Sequence, residues 1–195
     1  MKNNRLVFMN IAYIGALIAL QVVLGNLVQI AMLNKQLNFG FLPIAAAGYL
    51  FGPVGGLLVS ALGDVIGTLL FGTGAYFPGF TVTAALAGAA YGFILFPKYL
   101  RWLDGLSKSR TGGLLVRAVI AVVVVSVINN LLNSYWLTFF ITSKGYWAIL
   151  LSRLPFSLIE IPIFTTLITI CCTQMKRLPR TLLPDEIRRN ISEKP

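Results

Sequence analysis

Apolar runs of membrane-crossing length recur along this chain of 195 residues, and they constrain its fold more than any motif does. A helix crosses a bilayer with about 20 predominantly apolar residues, because backbone polar groups in hydrocarbon must be satisfied inside the segment. Six candidate helices can be read, over 6–30, 41–51, 54–71, 81–96, 114–132 and 147–175. The second is short, so it is either tilted or only partly spanning. Gly52-Pro53 parts it from the third, since proline lacks the amide hydrogen and glycine relaxes the backbone. Composition agrees: 57% of residues are hydrophobic and 11% charged, against about 45–50% and about 25% in soluble domains. The expected fold is an all-α, integral-membrane six-helix bundle over residues 1–175, followed by a polar cytoplasmic tail over 176–195. The basic, then apolar, N-terminus resembles a signal peptide, but its apolar stretch is too long for one and is read as a retained first helix.

The net charge of +10 is explained by topology rather than by nucleic acid. Six helices place both termini on one side. Of the 16 lysines and arginines, Lys2 and Arg5, five between Lys98 and Arg117, and six in the tail fall on that side, against Lys35 and Lys144 on the other. Positive charge collects on cytoplasmic segments, so both termini are expected in the cytoplasm of a multi-pass protein of a bacterial cytoplasmic membrane. The loops near Asn34, Gly74 and Ser134 then share the outer face.

Function classes narrow quickly. The chain has no histidine, which removes the commonest general base and metal ligand. Cys171 and Cys172 are adjacent, which suits neither a disulfide nor a metal site. Gly52-Pro53-Val54-Gly55-Gly56 lacks the lysine and hydroxyl residue of a phosphate loop. No catalytic residue, metal or cofactor is expected, and any energy must come from elsewhere. No internal repeat is evident, which weighs against a stand-alone secondary transporter.

The loop Gly72-Thr73-Gly74-Ala75-Tyr76-Phe77-Pro78-Gly79-Phe80-Thr81 is aromatic, glycine-rich and uncharged. Rings on such a frame suit stacking on a flat ligand, so Gly74, Tyr76, Phe77, Pro78 and Phe80 are candidate binding residues. Asn133 and Trp136, beside Asn129, Asn130 and Tyr135, form a second polar-aromatic cluster expected at the same face. Asp64, Arg153 and Glu160 are ionisable residues inside apolar runs, where a charge costs roughly 2.5–3.5 kcal/mol. Arg153 could hold an anionic ligand through two parallel hydrogen bonds, or could balance Asp64. Asp64 could accept hydrogen bonds from a heterocycle. Glu160, beside Pro162, is read as a packing residue. Ala12 with Ala16 and Gly15 with Ala19 place small residues four apart on the first helix, a spacing that lets membrane helices approach closely; Ala84, Gly88 and Gly92 repeat it on the fourth. Such faces serve either internal packing or a partner subunit.

Together these residues resemble the folate-specific substrate-binding subunits of energy-coupling factor transporters. The resemblance is carried by Gly74-Ala75-Tyr76-Phe77-Pro78-Gly79-Phe80-Thr81 leading into Gly88-Ala89-Ala90-Tyr91-Gly92, by Ala61-Leu62-Gly63-Asp64, by Leu132-Asn133-Ser134-Tyr135-Trp136-Leu137, and by Arg153 with Ile161-Pro162. Serine and tyrosine replace that family's threonine and leucine around Asn133, and Ser157 lies where a lysine is frequent. The resemblance implies a six-helix subunit that binds folate from outside. It further implies that Ala12, Gly15, Ala16 and Ala19 dock on a membrane scaffold subunit, and that two cytoplasmic ATPases hydrolyse the ATP. The alternatives left open are another vitamin or pterin-like ligand, or a proton-coupled transporter using Asp64 or Glu160.

Overall fold

A computed structural model describes residues 2–27, 29–32, 35–71, 76–100, 110–141 and 145–177. Helix α1 (Lys2–Asn26) leads into a two-stranded antiparallel hairpin, β1 (Gln29–Met32) and β2 (Lys35–Asn38). Then follow α2 (Phe41–Phe71), α3 (Pro78–Leu95), α4 (Arg110–Trp136), which widens into a π turn over Leu137–Ile141, and α5 (Tyr146–Arg177). Four of these helices are long and apolar enough to cross a membrane, and 10–26 of α1 forms a shorter apolar helix. Ile11, Val54, Leu69, Leu131, Leu158 and Ile170 are among many large aliphatic side chains turned outward. Water does not tolerate so much exposed apolar surface, so lipid is its solvent.

Three expectations change. The first helix stops at Asn26 instead of reaching residue 30: Gly25-Asn26 is a helix-stop pair, the Asn26 side chain turns back to the Val22 carbonyl at 2.8 Å, and the chain beyond pairs Gln29 with Asn38. The fourth helix begins at Pro78, so Phe80 and Thr81 are helical; proline is preorganised for a first helical turn. The second and third expected helices form one assigned helix, α2, broken only at Gly52, whose φ of 74° and ψ of −161° lie outside helical geometry. Glycine alone adopts such a conformation without strain, and Pro53 begins the second arm where its missing N–H costs nothing.

The break folds α2 back on itself. A Cβ on Gly56 would stand 3.4 Å from the Gly48 Cα, whereas eight residues of straight helix span about 12 Å. Helix α3 crosses at this vertex. Its Gly92 packs on the Gly52 backbone and its Gly88 on the Gly56 carbonyl, so closely that neither glycine has room for a methyl group. The small-residue pattern of this helix therefore serves internal packing. The second arm extends its stripe of small residues to Gly63 and Gly67, which lie under the side-chain amides of Gln21 and Asn26 and seat α1.

The buried core joins the first arm of α2 (Phe41, Ala45, Tyr49, Leu50) to α3 (Tyr91, Leu95), α4 (Ala118, Val122, Val125) and α5 (Ile168, Cys172). Helix α5 runs unbroken through Pro155 and Pro162. At the far end of α3, Arg117 of α4 is 2% exposed and donates to the carbonyls of Phe96 at 3.3 Å and Leu100 at 2.6 Å. A cation there satisfies carbonyls that a helix end leaves open and complements its dipole. Arg117 thus anchors the end of α3, although the sequence reading counted it only as a topogenic charge.

Candidate functional site

Because α2 doubles back while α3, α4 and α5 pack around its first arm, a cavity of about 390 Å³ remains among the helices. Ligand sites commonly occupy about 300–1,000 Å³. The wall draws on Gln21 of α1, Asn38 at the end of β2 and Gly40 after it, Phe41, Ile44, Ser60 and Asp64 of α2, and Phe80, Thr83, Ala84, Ala87 and Tyr91 of α3. Helix α4 adds Val125, Ser126, Asn129, Asn130 and Asn133, and α5 adds Arg153, Glu160 and Phe164. From Phe80 to Tyr91, or from Arg153 to Phe164, is eleven residues, about 16 Å of helix. The cavity is therefore an elongated slot. Phe80, Asn133 and Arg153 mark the end near the interhelical loops, while Tyr91, Glu160 and Phe164 lie deep. Phe164 stacks on Phe41 with ring centroids 3.7 Å apart and planes at 16°, which ties α5 to the first arm of α2 at the deep end.

The wall is polar for a space between apolar helices. Asp64 is half-buried, and its Oδ2 accepts from Thr81 Oγ1 at 2.7 Å; the Tyr76 hydroxyl lies 3.2 Å from the same Thr81 oxygen. Ser60 donates to the Ala84 carbonyl at 2.7 Å across the α2–α3 contact. Glu160 is 5% exposed and shares the cavity wall with Arg153 and Tyr91. The described residues contain no group of acidic, cysteine or histidine side chains able to hold a metal ion.

The sequence candidates divide. Asp64, Phe80, Asn133 and Arg153 come together on the wall. Tyr76, Phe77, Pro78 and Trp136 lie outside its lining and brace the segment above it. Phe77 packs on Phe80, Trp136 and Phe140 with centroids 5.8, 5.6 and 4.7 Å apart. Trp136 Nε1 donates to Thr83 Oγ1 at 3.1 Å, and Thr83 donates on to the Gly79 carbonyl at 3.1 Å. Gly79 has no Cβ because the rings of Phe77 and Trp136 occupy that space. This cluster fixes the first turn of α3, and with it Phe80 and Thr81. Gly74 lies outside the described residues, as do Asn34, part of the Ser134 loop and the tail from 178 onward. Ala12, Gly15, Ala16 and Ala19 are exposed along one side of α1, and nothing within 4 Å meets a Cβ built on Gly15.

Sequence reading missed Gln21, Tyr91 and Phe164 on the wall, and gave Glu160 a packing role. A buried acid at mid-helix was the available signal for Glu160. Tyr91 stood in the Gly88-Ala89-Ala90-Tyr91-Gly92 motif but was given no binding role, and Gln21 carried no signal, since its face depends on how the helices turn toward one another.

A profile of the family described as ECF transporter, substrate-specific component, matches residues 9–171. The chain is 31% identical over 157 residues to a protein of Clostridium novyi (strain NT) named "Folate transporter FolT", covering 80% of this chain and 83% of that protein. A protein of the same name from Leuconostoc mesenteroides is 30% identical over 157 residues, covering 77% of each. Among solved structures, "Crystal structure of FolT bound with folic acid" superposes with a TM-score of 0.69 at 30% identity, over 87% of this chain and 94% of that one.

Proposed function

The chain belongs to the family of ECF transporter substrate-specific components, transport proteins and not enzymes, and on that premise we propose that it is the folate-binding component of an ECF-type importer. The observation that carries the proposal is the slot itself: a cavity between the helices with Arg153, Asp64, Phe80 and Asn133 near its loop end, in a chain similar to proteins named folate transporters. Folate joins a flat pterin to an aromatic linker and a glutamate with two carboxylates. An elongated slot with phenylalanines along its length and a guanidinium near one end matches those parts. Arg153 takes a carboxylate or ring oxygen, Asp64 and the amides take N–H groups, and Phe80, Tyr91 and Phe164 offer ring faces.

Counted with the two arms of α2 as separate helices, the bundle has six helices and both termini in the cytoplasm. The slot then opens outward at the α2–α3 and α4–α5 loops. The exposed small-residue side of α1 (Ala12, Gly15, Ala16 and Ala19) docks on a membrane scaffold subunit, and two cytoplasmic ATPases drive delivery inward. The test is calorimetric titration of the detergent-purified chain with folic acid, pantothenate and thiamine. One-to-one binding of folic acid alone is expected, with Arg153→Ala weakening it at least tenfold, about 1.4 kcal/mol. Folded protein that does not bind folic acid refutes the proposal; unchanged affinity in the variant removes Arg153 from the site.

A further inference from the structure

Helix α3 turns a different surface to each of its surroundings. Val82, Leu86 and Phe93 are about half exposed and face lipid. Gly88 and Gly92 pack on the backbone of α2, and Thr83 accepts from Trp136 of α4. The remaining stripe, Phe80, Ala84, Ala87 and Tyr91, lines the cavity. At about 100° per residue, these four positions centre roughly 150° away from the three that face lipid. The partial exposure of Ala84 is therefore exposure to the slot and not to lipid.

Phe80 lies one turn from Ala84 toward the loops, and Tyr91 one turn from Ala87 toward the deep end. The stripe is thus a recess floored by two methyl groups and bounded at each end by an aromatic ring. The charged and amide side chains of the wall stand on α1, the hairpin, α2, α4 and α5. A planar heterocycle divides its own surface in the same way, with apolar faces and hydrogen-bonding groups along its edge. Its face fits the methyl floor, and its edge then meets the polar groups of the other helices.

We propose that Ala84 and Ala87 are specificity-determining residues: their small size leaves room for a fused two-ring system to lie face-on against α3, between Phe80 and Tyr91. The inference rests on the folate reading above and assigns the pterin, the widest flat part of that ligand, to this recess. Side-chain carbons added at either position take the space that the second ring occupies. A methylene gained or lost in an apolar pocket is worth about 10–200-fold in discrimination. A ligand with a single, narrower ring does not need that space and is penalised less.

The experiment titrates the full-length chain with folic acid and with an analogue that keeps the pyrimidine, the linker and the glutamate but has the second ring of the pterin opened. Wild type is expected to prefer folic acid by about tenfold or more. Ala87→Leu fills the recess and weakens folic acid more than the analogue, so the preference falls several-fold. Ala84→Val does the same from one turn nearer the loops, and it gives the answer if Ala87→Leu does not fold. Ala89→Leu, about 40° from the centre of the lipid-facing stripe of the same helix, keeps both affinities. The proposal is overturned if wild type has no preference, or if Ala89→Leu lowers the preference as much as the slot variants do. It is equally overturned if neither slot variant lowers the preference, whether both affinities hold or both fall by one common factor. Failure of wild type to bind folic acid at all is the separate result that removes the functional reading beneath it.

Discussion

Replacing Gly88 by alanine inserts one methyl group where α3 crosses α2. A Cβ there would overlap the Gly56 carbonyl oxygen and stand 2.7 Å from both the Gly56 carbonyl carbon and the Ser60 Cβ. Carbon atoms rest about 3.5–4.0 Å apart, so roughly 1 Å of separation has to come from somewhere. None of these atoms is the end of a flexible side chain, so the two helices must part. Overpacking of this kind costs about 1–3 kcal/mol, while alanine returns up to about 1 kcal/mol of helix propensity. Gly15→Ala is the internal control. It gains the same propensity with nothing within 4 Å of the new methyl, so the gap between the two variants is the clash alone, about 1–3 kcal/mol. Equilibrium unfolding in detergent micelles, followed by circular dichroism with folding reversibility checked, measures that gap. Ser60 and Ala84, joined across the same contact, line the cavity, so Gly88→Ala should also lose folic acid affinity while Gly15→Ala keeps it. A Gly88→Ala protein as stable as Gly15→Ala would refute the close crossing and the cavity geometry that depends on it.

Gly52→Ala places a side chain at φ 74°, ψ −161° and should destabilise the isolated chain by about 1–3 kcal/mol in the same unfolding assay. Arg117→Leu removes the donor that the Leu100 carbonyl has and one of the two at the Phe96 carbonyl, which keeps the Tyr99 N–H; a loss of about 1–3 kcal/mol is expected, with earlier hydrogen exchange at the end of α3. Ala16→Leu, on the exposed side of α1, should leave folic acid binding by the isolated chain unchanged and abolish uptake in cells that carry the whole transporter. Loss of binding as well would place that side inside the fold.

Much of the architecture is legible in the sequence because the physics behind it is local. Hydrocarbon demands long apolar runs whatever the partner, so the spans of α3, α4 and α5 read correctly to within a few residues. The cost of a charge in lipid makes Asp64 and Arg153 conspicuous without any knowledge of the fold, and both stand on the cavity wall. Gly52-Pro53 announces a break through the intrinsic geometry of two residues. The roles of the aromatic residues were not legible in this way. Phe77 and Trp136 look like a stacking platform, yet the structure turns them onto each other and onto the first turn of α3. Phe164, which looks like an ordinary membrane-helix residue, and Tyr91, given no binding role in the sequence, line the cavity.

The sequence alone therefore determined the solvent, the approximate spans, the breaks and the ionisable residues that lipid would not leave unused. The tertiary structure alone decided which face each helix turns inward. That choice is set by contacts remote in the chain, such as Gly88 on Gly56 and Gln21 over Gly63, and by hydrogen bonds such as Asn130 to Ser157. A rotation of one helix by a single residue position, about 100°, would leave every apolar run intact and exchange the cavity wall for another set of side chains.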